Sequence, residues 1–272
     1  MSVLLHISDT HFGTEIAPVV EALVAFENAL RPEIVVFSGD ITQRARRKQF
    51  VAARRFVDRL LAPTLTLPGN HDIPLFNVFA RAFDPYGNFT RQFGGTLEFL
   101  YESPVLFIVG VKTTRRWRHK DGEVSREQVA RVADTLERAT PQQLKVVVTH
   151  QPVHVIRTED EVNVVHGAAH AVASWARAGA DLILGGHIHL PFVAPLRDRY
   201  ADLHRDVWIA QAGTALSHRV RHQAGNSVNV IRVDPTSADR CCVERWDYRP
   251  GVADNAPGAF VAVDATRIGP AR

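Results

Sequence analysis

The sequence is poor in cysteine, and its two cysteines are neighbours. Cys241 and Cys242 are the only cysteines among 272 residues, and adjacent side chains of a strand point to opposite faces of a sheet. This pattern excludes the disulfide framework that is typical of small secreted domains. A reducing compartment fits best, so we expect a cytoplasmic protein.

Long hydrophobic runs and a charge of one sign are missing as well. No segment approaches the roughly 20 apolar residues that a transmembrane helix needs, and the apolar run at residues 3–7 is too short for a signal peptide. The 32 lysines and arginines barely exceed the 29 acidic residues. We therefore expect neither a membrane span nor a nucleic-acid partner. Basic clusters at residues 44–48 and 115–120 indicate solvated faces or a rim that attracts an anionic substrate.

No low-complexity linker interrupts the middle of the chain, and 46% of the residues are hydrophobic, enough for one sizeable core. We predict a single domain over residues 1–250. Residues 251–272 are rich in Gly, Ala and Pro and predict a surface tail. Composition does not decide the oligomeric state, and a homodimer stays open.

Short apolar runs alternate with amphipathic segments along the chain. The runs predict buried strands at residues 3–7, 33–37, 64–67, 145–149 and 181–185. Helical spacing of apolar residues predicts helices at residues 17–30, 49–61, 126–139 and 168–178, the third with Ser125 as its N-cap. Further antiparallel strands are predicted within residues 95–111 and near 207–212, 227–233 and 241–247. Strand–helix alternation predicts a partly parallel sheet covered by helices, with ligands at the carboxyl ends of its strands.

Residues able to bind metals follow five of these runs. Asp9 and His11 stand two positions apart, so in an extended segment both side chains face the same ion. The other candidates are Asp40, Asn70, His71, Asp72, His150, His187 and His189. A purely structural account would leave many buried polar groups without partners, which is costly. The mixed nitrogen and oxygen donors suit Mn, Fe, Co or Zn.

The order Asp-x-His, Gly-Asp, Gly-Asn-His-Asp, His, Gly-His-x-His resembles the signature of the calcineurin-like metallophosphoesterases. The resemblance implies a mixed α/β fold, a four-layer αββα sandwich of two mixed β-sheets flanked by helices. It also implies two divalent transition-metal ions, of Mn, Fe, Zn or Co. The first ion would be held by Asp9, His11, Asp40 and His189, and the second by Asp40, Asn70, His150 and His187, with Asp40 bridging.

The same resemblance implies a mechanism for hydrolysing phosphate esters. A hydroxide that bridges the two metals would be the nucleophile. His71 would contact the phosphate and protonate the leaving oxygen, and Asp72 would orient His71. Substrate contacts are expected from Asn70 and His71, and from Arg44, His218 and Arg219 near the entrance.

Residues 7–12, 211–215 and 227–230 look like the bacterial class III cyclic-nucleotide phosphodiesterases. A phosphodiesterase of a cyclic nucleotide or a related small phosphodiester is therefore our first hypothesis. A nuclease, a protein phosphatase, or a phospholipid or nucleotide-sugar pyrophosphohydrolase of the same superfamily stays open. The apolar residues 73–93 leave room for a lipid substrate or a cap over the site, although a core-packed helix is the preferred interpretation. A non-catalytic scaffold is least favoured, because every ligand position and His71 are present.

Overall fold

The computed structural model describes residues 1–221, 224–237, 239–251 and 257–269. The strands in these ranges are β1 (Ser2–Ile7), β2 (Ile34–Phe37), β3 (Thr64–Thr66), β4 (Phe99–Glu102), β5 (Leu106–Gly110), β6 (Leu144–Val148), β7 (Leu182–Gly185), β8 (Phe192–Pro195), β9 (Trp208–Gln211), β10 (Ser227–Val233), β11 (Cys241–Arg249) and β12 (Ala259–Ile268). The α-helices are α1 (Ala17–Leu30), α2 (Arg47–Val57), α3 (Val78–Phe83), α4 (Gly87–Phe93), α5 (Arg126–Leu136) and α6 (Ala168–Arg177). The predicted strands are present, and so are the helices predicted at residues 17–30, 49–61, 126–139 and 168–178, with ends that differ by a few residues.

The strands form two mixed sheets. The first has the order β12-β11-β10-β1-β2-β3, in which β1, β2 and β3 are parallel and the other pairs antiparallel. The second has the order β4-β5-β6-β7-β9-β8, with a parallel centre from β5 to β9 and an antiparallel strand at each edge. Parallel strands in both sheets place their carboxyl ends at one edge, where the predicted ligands follow them.

Alternating side chains along each strand divide the core into layers. Leu4 of β1 packs between the two sheets together with Val146 of β6, whereas its neighbour Leu5 packs against the helices. Helices α1, α2 and α4 cover the outer face of the first sheet, and α5 and α6 cover that of the second. The four-layer αββα sandwich of two mixed sheets is thus confirmed.

Capping residues explain where the helices begin and end. The hydroxyl of Ser125 accepts a hydrogen bond from the backbone N–H of Gln128, and the side chain of Gln128 accepts one from the backbone N–H of Ser125. This is the predicted capping box. Helix α6 stops before Gly179, whose φ of +96° lies in the left-handed region that glycine adopts without steric cost.

The prediction of one core-packed helix over residues 73–93 is wrong. The segment forms two short helices, α3 and α4, separated by Pro85, which cannot continue a helix. Phe89 of α4 is buried, but Phe76, Phe79 and Phe83 are 78%, 79% and 84% exposed. Apart from Ile73, which is 2% exposed, only the second half of the segment therefore joins the core.

The predicted surface tail over residues 251–272 is in part a regular strand. Residues 259–268 form β12, which pairs with β11 and makes the edge of the first sheet. Phe260, Val261, Val263 and Thr266 are aromatic or β-branched residues, which suit a strand, and this short segment outweighs the surrounding Gly and Pro. Residues 252–256 and 270–272 of the predicted tail lie outside the described residues. No helix in the described part of the chain is long and apolar enough to cross a membrane.

Candidate metal centre

The predicted ligands come from both sheets and meet between them. Asp9 and Asp40 follow β1 and β2 of the first sheet, while His150 follows β6 of the second. His187 and His189 follow β7, next to β6. The site therefore lies at the carboxyl ends of parallel strands, where α/β proteins usually bind their ligands.

One group of four side chains surrounds a first position. The candidate ligand atoms of Asp9, His11, Asp40 and His189 all lie within 4.8 Å of one another, and all four residues are buried. Nε2 of His11 is 3.0 Å from Nε2 of His189 and 3.7 Å from Oδ1 of Asp9. This is the predicted set for the first ion.

A second group contains Asp40, His150 and His187, again within 4.8 Å. Nε2 of His150 lies 3.3 Å from Oδ1 of Asp40 and 3.3 Å from Oδ1 of Asn70. Asp40 belongs to both groups, with Oδ1 near His150 and Oδ2 3.8 Å from Nε2 of His11. Its position matches the predicted bridging role.

Backbone carbonyl groups hold two of the imidazoles in one tautomer. Nδ1 of His150 lies 2.9 Å from the carbonyl oxygen of Ser38, and Nδ1 of His189 lies 2.6 Å from that of Arg219. Because a carbonyl can only accept, each Nδ1 carries the proton and each Nε2 directs its lone pair into the site.

Burial and neighbouring charges shift the pKa values of the site's histidines in different directions. Burial lowers the pKa of His11 well below its usual value, and burial together with the charge of His150 lowers the pKa of His187 to about 3. Burial opposes protonation of His150 too, but the nearby Asp40 carboxylate outweighs it and raises the pKa to about 9. The charges of His150 and His71 overcome the effect of burial on Asp40 and hold its pKa well below the usual range.

Several buried polar atoms of the site have no partner from the described residues. Oδ1 of Asp9, Nδ1 of His11 and Nδ1 of His187 form no hydrogen bond, although an unsatisfied buried polar group is costly. A cation in the first group would supply a partner for Oδ1 of Asp9 and would separate the facing Nε2 atoms of His11 and His189. The residues thus fit two divalent ions, with donors that suit borderline transition metals.

The backbone at the ligands is strained. Five of the predicted ligands have positive φ angles: Asp9 (53°), His11 (44°), Asp40 (49°), His187 (75°) and His189 (57°). Such conformations are uncommon in residues other than glycine and cost energy that the surrounding structure must offset. Gly39, at φ +114°, lets the chain pass His150 so closely that a Cβ there would lie 2.5 Å from Nδ1 of His150. Outliers of this kind concentrate at functional sites.

Comparison with known proteins agrees with this geometry. A family model described as calcineurin-like phosphoesterase matches residues 2–191. The chain belongs to the calcineurin-like phosphoesterase family. The matched range contains all seven predicted metal ligands, together with His71 and Asp72.

Two curated relatives match parts of the chain. A glycerophosphodiester phosphodiesterase (GpdQ) of Enterobacter lignolyticus is 38% identical over 82 residues, which cover 25% of this chain and 29% of the relative. A probable glycerophosphodiester phosphodiesterase of Arcobacter nitrofigilis is 24% identical over 161 residues, which cover 58% of this chain and 57% of the relative. The matches thus span at most 57% of the length of these curated relatives.

Solved structures of calcineurin-like fold superpose on nearly the whole chain. Purple acid phosphatase PPD1 of yellow lupin has a TM-score of 0.69 at 11% identity and covers 98% of this chain and 53% of its own. A dimetal phosphatase of Danio rerio has a TM-score of 0.66 at 14% identity and covers 98% of both chains. At such identities the likeness concerns the fold alone.

Asp72 does not orient the ring of His71 as predicted, because its carboxylate forms no hydrogen bond to that ring in the structure. The carboxylate of Asp72 instead accepts hydrogen bonds from three backbone N–H groups, those of Ile41 (3.0 Å), Thr42 (2.8 Å) and Gly69 (2.9 Å). Asp72 therefore joins the loop that carries Asp40 to the loop that carries His71. It shapes the backbone of the site rather than orienting the imidazole.

A backbone carbonyl orients His71 in place of Asp72. Nδ1 of His71 lies 2.9 Å from the carbonyl oxygen of Gln43, so Nδ1 carries the proton and Nε2 is left free. Nη1 of Arg219 approaches that Nε2 to 3.0 Å. The backbone N–H of His71 donates to Oδ1 of Asp40 at 2.8 Å, which keeps the imidazole beside the candidate bridging carboxylate.

Two cavities adjoin the site. A cavity of about 210 Å³ is lined by the candidate ligands Asp40, Asn70, His187 and His189 and also by His71 and Arg219. A second cavity, of about 230 Å³, shares Asn70, His71 and Arg219 and adds Arg44.

The structure places four of the five predicted substrate contacts in the lining of a cavity beside the site. Asn70, His71 and Arg219 line both cavities, and Arg44 lines the second only. His218 lines neither: it is exposed, and its backbone N–H bonds to the carbonyl of Thr14. Lys120 lines both cavities and was missed, because a basic run such as 115–120 gives no sign of which member faces a site.

Proposed function

We propose that the chain is a dinuclear metal-dependent phosphodiesterase that hydrolyses a small phosphodiester. The observation that carries this proposal is the position of Asp40, whose two carboxylate oxygens face different histidines, His150 and His11. One carboxylate between two ligand groups is the arrangement that a two-metal site requires. Diester rather than monoester cleavage is favoured by the names of the curated relatives, both glycerophosphodiester phosphodiesterases.

The residues of the site divide the chemistry among them. Two divalent ions, when bound, lower the pKa of water and neutralise charge on a phosphate. In its doubly protonated form His71 would give the Nε2 proton to the departing alcohol oxygen, while Nδ1–H stays bonded to the Gln43 carbonyl, which keeps the ring in that orientation. Arg219, beside Nε2 of His71, adds a forked and permanently charged donor for the phosphate oxygens.

The first candidate substrates are glycerophosphodiesters and cyclic nucleotides. The glycerophosphodiesters follow from the names of the relatives, and the cyclic nucleotides follow from the resemblance of residues 7–12 to class III phosphodiesterases. Both are small diesters, consistent with a cavity of about 210 Å³ beside the ligands.

The test is turnover by metal-loaded protein of glycerophosphocholine, 2′,3′- and 3′,5′-cyclic AMP, a bis-aryl phosphodiester and an aryl phosphomonoester. We expect diester hydrolysis, and we expect His71→Ala to keep both metals but lose about 10²–10⁴-fold in rate, the usual contribution of a general acid. His170→Ala, an exposed histidine on α6, is the matched control and should keep wild-type activity. Wild-type rates in His71→Ala, or no diester turnover with two metals bound, would contradict the proposal.

A further inference from the structure

The second cavity beside the metal centre is unusually rich in uncompensated positive charge. Arg44, Arg81, Lys120 and Arg219 line it, and its lining contains no aspartate or glutamate. None of these four cations forms an ion pair with a described residue. In contrast, Arg118 of the same basic cluster as Lys120 pairs with Glu123 at 2.9 Å.

Neutral groups hold three of these cations, Arg44, Arg81 and Arg219, in place without neutralising them. Arg81 donates hydrogen bonds to the carbonyl oxygens of Pro74 (3.2 Å) and Arg118 (2.7 Å). The guanidinium of Arg44 lies 5.7 Å from the ring centroid of Phe76, within range of a cation–π contact. Arg219 donates to the side-chain oxygen of Gln43 at 3.2 Å. Positive charges that neutral partners fix around a cavity form a preorganised site for an anion.

The cationic cavity is continuous with the metal centre. Asn70, His71, Lys120 and Arg219 line both cavities. An ester bound at the ligands would therefore direct one of its two alcohol groups into the second cavity. Ile73 and Leu75 form an apolar part of the wall there, suited to the carbon skeleton of that group.

We propose that Arg44, Arg81 and Lys120 form a subsite for a second anionic group, a phosphate or a carboxylate, on the alcohol portion of the substrate. This inference rests on the proposed phosphodiesterase function and narrows its substrate class. The preferred substrates are small phosphodiesters whose head group carries a second negative charge, rather than neutral or cationic head groups.

Two matched pairs of substrates test the subsite. Glycerophosphoinositol 4-phosphate differs from glycerophosphoinositol by one phosphate, and glycerophosphoserine differs from glycerophosphoethanolamine by one carboxylate. We expect kcat/KM to be about 10-fold or more higher for the charged member of at least one pair, the size of a charge-assisted hydrogen bond. The pair that shows the preference identifies the anion as phosphate or carboxylate. Equal rates within both pairs would overturn the proposal.

Variants locate the preference in the cavity. Arg44→Gln, Lys120→Gln and the double variant should lose this preference, so that kcat/KM becomes equal for the two members of the pair. Arg55→Gln and Lys48→Gln are matched controls, because both residues are exposed and neither lines the cavity. A preference that survives in the double variant would place the subsite elsewhere.

Binding provides a measurement that is independent of turnover. Calorimetric titration of metal-loaded His71→Ala protein with each pair should show about 10-fold tighter binding of the charged member, lost when Arg44→Gln and Lys120→Gln are added. Tighter binding without hydrolysis in the wild type would sustain the subsite and contradict the phosphodiesterase function. Hydrolysis without any discrimination would sustain the function and overturn the subsite.

Discussion

At the scale of single residues, Asp40 is the side chain that belongs to both candidate ligand groups and also contacts the backbone of His71. It is only 1% exposed, and its oxygens face His150, His11 and the backbone N–H of His71. Its backbone is in the left-handed region, at φ 49°. Because the carboxylate is buried and both of its oxygens have partners, we expect the site to depend on its negative charge.

We expect Asp40→Asn to lose the metals, because the amide keeps the size of the side chain but not its negative charge. Metal affinity should fall by more than about 100-fold, since even residues that only support a ligand contribute roughly 10–100-fold. Metal analysis after dialysis measures the effect. Asp134→Asn removes an exposed carboxylate from α5 and serves as the control. Two tightly bound ions in Asp40→Asn would contradict the bridging role.

His6, on β1, is a fully buried histidine outside the predicted ligand set. Nε2 of His6 is 2.9 Å from the hydroxyl of Ser38, and Nδ1 is 3.4 Å from the amide nitrogen of Asn229. Burial lowers its pKa from 6.5 to about 3, against the opposing charge of Asp9. The folded protein therefore holds His6 neutral at pH values where the unfolded chain is protonated.

This difference predicts acid sensitivity. The unfolded state binds the extra proton below pH 6.5, so the stabilising contribution is present above that pH and is lost as pH falls toward 3. The loss is up to about 1.4 kcal/mol per pH unit. Urea unfolding of the metal-loaded protein between pH 7.5 and 5 should show a shallower pH dependence for His6→Gln than for the wild type. Identical slopes would mean that His6 does not titrate as described.

At the scale of elements, α3 and α4 follow each other in the chain but differ in burial. Phe83, at the end of α3, is 84% exposed, while Phe89 of α4 is fully buried. The ring of Phe89 lies 6.3 Å from that of Phe50 on α2 and 5.4 Å from that of Phe93. Helix α4 thus belongs to the helical layer outside the first sheet, whereas no residue of α3 is buried.

The two phenylalanines should respond differently to truncation. Phe89→Ala leaves a cavity among packed rings and should lower the free energy of unfolding by about 3–5 kcal/mol. Phe83→Ala should change it by less than about 0.5 kcal/mol, as is usual for exposed positions. Urea denaturation of both variants measures the difference. Equal destabilisation would show that α3 packs in solution in a way that the structure does not show.

At the scale of the whole molecule, the candidate metal centre lies between the two sheets and takes its ligands from both. Asp9 and Asp40 extend from the first sheet, and His150, His187 and His189 extend from the second. The ligands of the two sheets come together only in the folded protein. Ions that need ligands from both sheets therefore bind the folded state alone and stabilise it by mass action.

Metal removal should therefore lower the thermal stability. Ions at 100 times their dissociation constant stabilise the fold by about 2.7 kcal/mol per independent site, and a chelator should remove that amount. Calorimetry of the wild type with and without chelator measures the shift in Tm. Asp40→Asn is the control and should unfold at one temperature under both conditions. If the Tm of the wild type were the same with and without chelator, the proposal that bound ions join the two sheets would be contradicted.

The sequence predicts best those features that depend on residues close together in the chain. Helix α1 and strand β10 have the predicted bounds, because hydrophobic periodicity depends on near neighbours in the chain. The segment 73–93 was misjudged, because its burial depends on which elements lie above it. The partner of His71 was misjudged for a similar reason: Gln43 acts through its backbone carbonyl, a group that every residue has.

The sequence by itself determined the donor chemistry of the site and its family. The type of each ligand and its position after a predicted strand can be read from the chain. Parallel strands end at the same edge of a sheet, so these positions predict a shared site. Only the tertiary structure decided that Asp40 faces both ligand groups and that Asp72 supports loops. It also brought Arg44 and Lys120 into one cavity. Distances between residues far apart in the chain depend on how the two sheets pack, and no local pattern contains that information.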